Sequence, residues 1–493
     1  MTNSKMKHFQ DLWNIMLATD SYKASHWNML PEGLSYTSSY CESRGGAFPF
    51  TLFFGLQYYI ESYLVGVQVT EEKIQEAVQF YKEHFGLDNV FNEKGWRHIL
   101  ENCGGKLPIK IEAVKEGSII PTKNCLFKIS NTDPNCAWLV NWCETLLMKM
   151  WYPITVGTNS MAGRELLNIQ MAKTGTSNMQ HFMLHDFGYR GVASEEQAWL
   201  GGAAHLLSFK GTDNVAGVRM LQHYYGAPMC GFSVNASEHM VMTVRGRDKE
   251  KETYKALLTK FKDGTLSLVS DQYDIYEVCR FLASDPELKQ LVLDRNGRFV
   301  IRPDSGEPRE VLEKCLEILA EGFGYTTNEK GYKVINSKLG LLQGDGITIY
   351  TMYEILEYLG TKGWSIDNFV FGSGGGLLQK YDRDTMQFAI KCSYAIIDGV
   401  AVDVYKDPIT SKGSKKSKKG LLFTIWDAET GYSTVNEHEL DNHKWATQML
   451  HPVFENGNQS NIQTLDTIVE TMTIDNKRID DLIAKQPKAE PAL

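Results

Sequence analysis

From about residue 150 to 380 the sequence repeats one phrase: a short β-rich run that stops on Gly, Asp, Ser or His, often followed by a helical stretch. PITV leads into GTNS at 157–160, and FMLHDFGYRG at 182–191 precedes SEEQAWLGGAAHLL. LLSFKGTD stops at Asp213, GFSVNASEH runs from Gly231 to His239, and LSLVSDQYD stops at Asp274. RFVIRPDSG stops at Gly306, KLGLLQGDG at Gly346 and NFVFGSGGG at Gly376. Strands that alternate with helices form a parallel sheet. Eight such units predict a closed α/β barrel, with its chemistry at the C-terminal ends of the strands. Polar residues are concentrated there in this chain.

The flanks do not keep that rhythm. EEKIQEAVQFYKEHF reads as a helix and LPIKIEAVKEGSIIP as β-rich, while AIKCSYAIIDGVAVDVYKD and LLFTIWDAETG return to strands near the end. A chain of 493 residues exceeds one ordinary core. The expectation is therefore a barrel over 154–390 and a second, discontinuous α+β domain made from 1–153 and 391–493. That second domain carries a Lys-rich loop, KDPITSKGSKKSKKG, at 406–420, read either as a solvated basic loop or as a flap over phosphates.

Bulk properties exclude several classes. A formal net charge of −9 disfavours broad nucleic-acid binding. There is no apolar run of about 18 residues, the length a membrane span needs, and no secretory signal core. The nine cysteines are scattered without a CxxC, which suits a reducing compartment and argues against structural zinc. A cytoplasmic enzyme is the expectation.

Several strand-end groups suit an anionic sugar ligand. GSGGG at 372–376 presents backbone N–H groups to a phosphate. Asp304 in RPDSG and Asp345 in QGDG can grip ribose hydroxyls or water on Mg²⁺, and Arg190 and Arg302 can pair with phosphate or lie over a ring. His239 ends a β-rich run. His181 and His185 have HxxxH spacing, but HFMLHDFG reads better as a strand entering a turn than as a metal-binding helix.

Together with TDSYKASH at 19–26, FNEKGW at 91–96, NTDP at 131–134, WYPITVGTNS at 151–160, SDQYDIY at 270–276 and SKKG at 417–420, these words resemble the nicotinamide phosphoribosyltransferases, of the type II phosphoribosyltransferase family. The resemblance runs in order from about residue 14 to 460. It implies a homodimer with shared active sites, in which nicotinamide lies between Phe187 and Tyr22 of the partner subunit. It implies that Asp213 accepts from the amide and that Arg190 and Arg302 line the same pocket. It also implies that Ser270, Asp274, Asp304, Gly344, Asp345, Gly374 and Gly375 surround the ribose and phosphates of phosphoribosyl pyrophosphate. Arg383, Lys391 and Lys415 are implied phosphate contacts. Mg²⁺ is held mainly by the pyrophosphate, and His239 takes a phosphoryl group from ATP. The chemistry is thus assigned chiefly to His239, Asp274 and Asp304. Two positions depart from the family pattern: Asn235-Ala236-Ser237 before the histidine, and Ala389 where the family has serine.

The implied reaction needs no general base, because the pyridine nitrogen is an unprotonated nucleophile at neutral pH. Positioning and charge stabilisation carry the rate. Asp213 accepts a hydrogen bond from an amide but repels the carboxylate of nicotinate. The alternatives are a related transferase acting on nicotinate or on a bulkier ribosyl pyrophosphate, and a non-catalytic binding protein on the same scaffold.

Overall fold

The computed structural model describes residues 12–411 and 416–485. The chain divides into two compact units, one formed by residues up to 155 together with those from 382 onward, the other by Val156–Tyr381. The second division falls at 381/382 because the strand Phe388–Ile397 pairs along its length with Leu34–Ser43 and so belongs with the chain ends.

The unit built from the chain ends centres on a seven-stranded sheet. Its order is Val400–Asp403, Phe388–Ile397, Leu34–Ser43, Phe127–Asn131, Ile109–Ala113, His451–Glu455 and Asn458–Gln459, paired antiparallel throughout. Three strands from the N-terminal part are flanked on each side by two from the C-terminal part, so neither end can complete this core alone. The helix Glu71–Phe85 starts on a Thr70 side-chain cap and stops at Gly86 in the left-handed conformation.

The other unit holds six parallel strands, numbered here β1 (Leu184–Asp186), β2 (Asn235–Ala236), β3 (Leu266–Val269), β4 (Phe299–Arg302), β5 (Leu339–Gln343) and β6 (Phe369–Ser373). Their order in the sheet is β1-β6-β5-β4-β3-β2. Single parallel bridges, Asp186 to Thr212 and Gly211 to Phe232, continue the sheet from β1 toward the segment before β2. Six strands and the 211–212 segment make seven staves among the described residues, not the eight expected. The missing one is PITV: residues 153–156 lie in the helix Trp151–Thr174. Pro153 is tolerated because it is the third residue of that helix, where the backbone N–H has no intrahelical acceptor. Residues 152–160 are buried without a break, so this part of the helix is packed on every side, overriding the strand preference of Ile-Thr-Val.

The barrel strands read as near-continuous apolar runs because helices cover them. Leu266, Leu268, Phe299, Ile301, Leu339, Leu341, Phe369 and Phe371 share one core with Val278, Leu312, Leu316 and Leu356 of the surrounding helices. No helix among the described residues is long and apolar enough to cross a membrane.

Candidate active site

At the C-terminal ends of the strands a cavity of about 880 Å³ opens, lined by Phe187, Tyr189, Arg190, Asp213, Glu238, His239, Arg302, Asp304 and Gly344 among others. Each of these follows or ends a barrel strand, so the sheet's register brings together residues far apart in sequence. A second cavity of about 290 Å³ shares Phe187, Asp213 and Arg302, and continues past His185, Ser267, Val300 and Leu342 to Arg298. Phe187, Asp213 and Arg302 therefore stand where the open mouth meets the barrel interior.

The ring of Phe187 is placed by β6. A Cβ at Gly372 would fall 2.0 Å from that ring, so only glycine lets it approach the strand this closely. The Arg302 guanidinium stands 5.3 Å from the ring centroid and is oriented by Asp304, whose Oδ1 accepts from Nη2 at 2.8 Å and Nε at 3.1 Å. This geometry makes a flat apolar platform with a fixed positive charge on one side. Asp213 is exposed to the cavity, and its Oδ1 accepts a 2.5 Å hydrogen bond from Ser233 Oγ. Beneath it lies Asp186, fully buried. Burial pushes its carboxyl up to about 6, opposed by hydrogen bonds from Gly188 and Asn214 and reinforced by the nearby Asp213 charge.

His239 stands at the rim, its Nε2 3.0 Å from Asp271 Oδ1. The histidine side chain is half exposed, while the Asp271 side chain is 8% exposed. In the tautomer that donates from Nε2, the lone pair sits on Nδ1. Asn235 and Ala236 form β2 against β3, and Ser237 Oγ accepts from the Val269 backbone N–H at 3.0 Å. The Asn235–Ser237 stretch thus serves as the edge stave that carries His239 to the rim.

Not every sequence-derived residue joins this cavity. Ser270 is fully buried, its hydroxyl donating to Leu268 O and accepting from Tyr254 OH, both at 2.8 Å, so it has no free face for a ligand. Asp274 caps the helix Ile275–Ser284, accepting from the backbone N–H of Tyr276 and Glu277. The residue that touches His239 is Asp271, which the reading of SDQYD passed over. Its signal was position: it stands two residues beyond the end of β3. Asp345 is exposed on the loop after β5, and Gly374 and Gly375 follow β6 at the start of the short helix Gly375–Leu378. In the other unit Tyr22 is 60% exposed. Arg383 is exposed beside Asp384 at 3.3 Å, and Lys391 is partly buried, its ammonium pKa lowered by burial. Lys415 lies outside the described residues. Ser233, Asp186 and Asn214 were also missed; nothing in their sequence spacing marks them.

Residues 182–458 match the nicotinate phosphoribosyltransferase (NAPRTase) family, and residues 14–111 match the N-terminal domain of nicotinamide phosphoribosyltransferase. The chain belongs to the nicotinate phosphoribosyltransferase family. This NAPRTase-family chain is 42% identical over 467 residues to a nicotinamide phosphoribosyltransferase of Xanthomonas campestris pv. campestris, covering 94% of the chain and 98% of the relative. It is 32% identical over 501 residues to one of Acinetobacter baylyi, covering 92% and 96%. Its fold is similar to that of nicotinate-nucleotide pyrophosphorylase from Pyrococcus furiosus, with TM-score 0.61 at 14% identity, covering 97% and 99%. Human nicotinic acid phosphoribosyltransferase gives 0.52 at 13%, covering 94% of each. Like its family, the protein is a phosphoribosyl-transferring enzyme, a pentosyltransferase.

Proposed function

We propose that the enzyme joins nicotinamide to the phosphoribosyl group of phosphoribosyl pyrophosphate, forming nicotinamide mononucleotide and pyrophosphate in NAD salvage. One observation carries the choice of base: Asp213, a carboxylate held by Ser233 with no salt bridge among the described residues, faces the cavity beside the Phe187 platform and Arg302. A pyridine ring on Phe187 brings its 3-substituent toward Asp213. The carboxylate accepts from an amide N–H and repels a second carboxylate. The names of the relatives in Xanthomonas and Acinetobacter support the same base.

The pyridine nitrogen attacks C1 of the ribose, the C1–O bond to pyrophosphate breaks, and the electron pair leaves with pyrophosphate. No proton need be removed. Arg302 supplies fixed positive charge near the developing negative charge, and Asp304 keeps its fork aimed. Among the described residues no set of three His, Cys, Asp or Glu donors converges at the strand ends; the set that does converge, His98, Cys103 and Asp133, belongs to the other unit. Mg²⁺ would thus accompany the pyrophosphate rather than sit in a protein cage; Asp304 and Asp345 are the residues that would help hold it, and it would neutralise the charge on the leaving group.

In this reading His239 Nδ1 takes the γ-phosphoryl group of ATP, the bond to ADP breaking as the nitrogen–phosphorus bond forms, and Asp271 balances the imidazolium charge. Tyr22 of the partner subunit closes the second ring face in a homodimer, which accords with its exposure. The nine free cysteines accord with a cytoplasmic setting. Nicotinamide and nicotinate offered separately with phosphoribosyl pyrophosphate and Mg²⁺, with and without ATP, test the proposal. Mononucleotide should form from nicotinamide by at least tenfold preference; equal or greater use of nicotinate would overturn it.

A further inference from the structure

Two loops carry the groups that meet the pyridine ring: Phe187-Gly188 after β1, and Asp213-Asn214 in the next stave. Between them lies Asp186. Its Oδ1 accepts from the Gly188 backbone N–H at 2.7 Å, and its Oδ2 accepts from Asn214 Nδ2 at 2.9 Å. Its main-chain carbonyl accepts from the Asp213 N–H at 3.0 Å. Asn214, also fully buried, donates to Ala198 O at 3.0 Å, and its Oδ1 caps the helix Val215–Tyr225 through the N–H groups of Ala216 and Gly217.

These hydrogen-bond partners of the Asp186 carboxylate are neutral N–H donors. A carboxylate in an interior without a paired cation is costly, and packing alone would be served as well by an apolar residue of similar size. What the carboxylate supplies is a bridge of two accepting oxygens, one to each loop. Pulling the loops apart would leave a buried acceptor unsatisfied, so they are held at one spacing.

We propose that Asp186, with Asn214, is the positioning pair that fixes the distance between the ring platform Phe187 and the substituent reader Asp213, and so sets affinity and selectivity for the pyridine base. Neither residue touches the substrate; both act through their neighbours. The proposal deepens the nicotinamide reading above and rests on it.

The test uses the full-length enzyme and two variants. Asp186→Asn keeps an acceptor for Gly188 but turns an N–H₂ toward the Asn214 N–H₂, breaking one arm of the bridge. Asn214→Ser keeps a hydroxyl able to cap the helix but cannot reach Asp186. For Asp186→Asn, KM for nicotinamide should rise about tenfold while kcat and KM for phosphoribosyl pyrophosphate stay within about twofold. Selectivity against nicotinate should fall with it. For Asn214→Ser the rise should be about threefold. Amide hydrogen exchange should quicken in both segments, 184–192 and 209–217, in either variant. Should Asp186→Asn not accumulate as folded protein, Asn214→Ser decides on the same readouts. Unchanged KM and exchange, or equal rises in KM for base and donor, would overturn the pair's role. A wild-type enzyme inert toward nicotinamide would instead sink the substrate reading, and coupled exchange of the two segments would still report on the bridge.

Discussion

The two sides of the cavity are built on different terms. On the ring side, Phe187 lies against Gly372 and Asp213 hangs from a backbone bond to fully buried Asp186. On the rim, Arg190, Glu238 and His239 are exposed, and His239 has a single carboxylate partner. The ring side is preorganised: its hydrogen bonds exist before a ligand arrives, so binding energy is not spent ordering it. The rim is a set of charges with room to adjust, as would suit the proposed donor with its anionic oxygens. On the proposed reading, selectivity would belong to the first side and ATP coupling to the second.

Arg302 belongs to both, facing the Phe187 ring on one side and Asp304 on the other. Arg302→Ala is therefore the largest break available: kcat/KM for mononucleotide formation should fall about a thousandfold. Steady-state kinetics at varied donor and base measure it. A fall of less than about tenfold would mean that the two sides work independently.

The buried side also predicts a pH dependence of stability. Asp186 has its pKa raised from 3.8 to about 6 in the folded protein. Between those values the native state holds a proton that the unfolded chain has released. Stability contributed by this group is thus fully present below about pH 4, is lost as pH rises toward 6, and is flat above that. At about 1.4 kcal/mol per unit, the swing is on the order of 3 kcal/mol. Denaturant unfolding of wild type and Asp186→Asn across about pH 4 to 7 isolates it, because other titrations cancel in the difference; parallel curves would remove Asp186 as the source.

Asp213→Ser sharpens the ring side alone. The preference for nicotinamide over nicotinate should fall about thirtyfold, mostly through a lower KM for nicotinate, with ATP stimulation intact. An unchanged preference in competition assays would move the discrimination to another residue.

Much of this was legible in the sequence, for physical reasons that differ by residue. Strands of a covered parallel sheet must be apolar and must end where the chain becomes polar, so the runs that became β1 to β6 announced themselves, and with them Arg302 and Asp304, while Phe187 entered through the family resemblance. The same rule failed at PITV, where β-branched residues sit in a buried helix and Pro153 occupies a turn that needs no N–H donor. It failed again in SDQYD, where the order of serine and two aspartates does not say which side chain turns outward: Ser270 went to Tyr254, Asp274 to a helix cap and Asp271 to His239. Asp186 was hidden altogether, since its function lies in what its burial connects, and no local pattern encodes that.

The smallest effect is expected at the rim. His239 lies apart from the Phe187 platform in sequence and in partners, so His239→Ala should leave transfer without ATP within about threefold of wild type while abolishing stimulation by ATP. Asp271→Asn should do the same in part, because an amide orients the imidazole but cannot balance its charge. ATP hydrolysis and mononucleotide formation followed together give the decisive measurement: in His239→Ala ATP hydrolysis should be lost while product still forms. Loss of basal transfer as well would show that the histidine is needed to place the donor, and that the rim is as preorganised as the ring side.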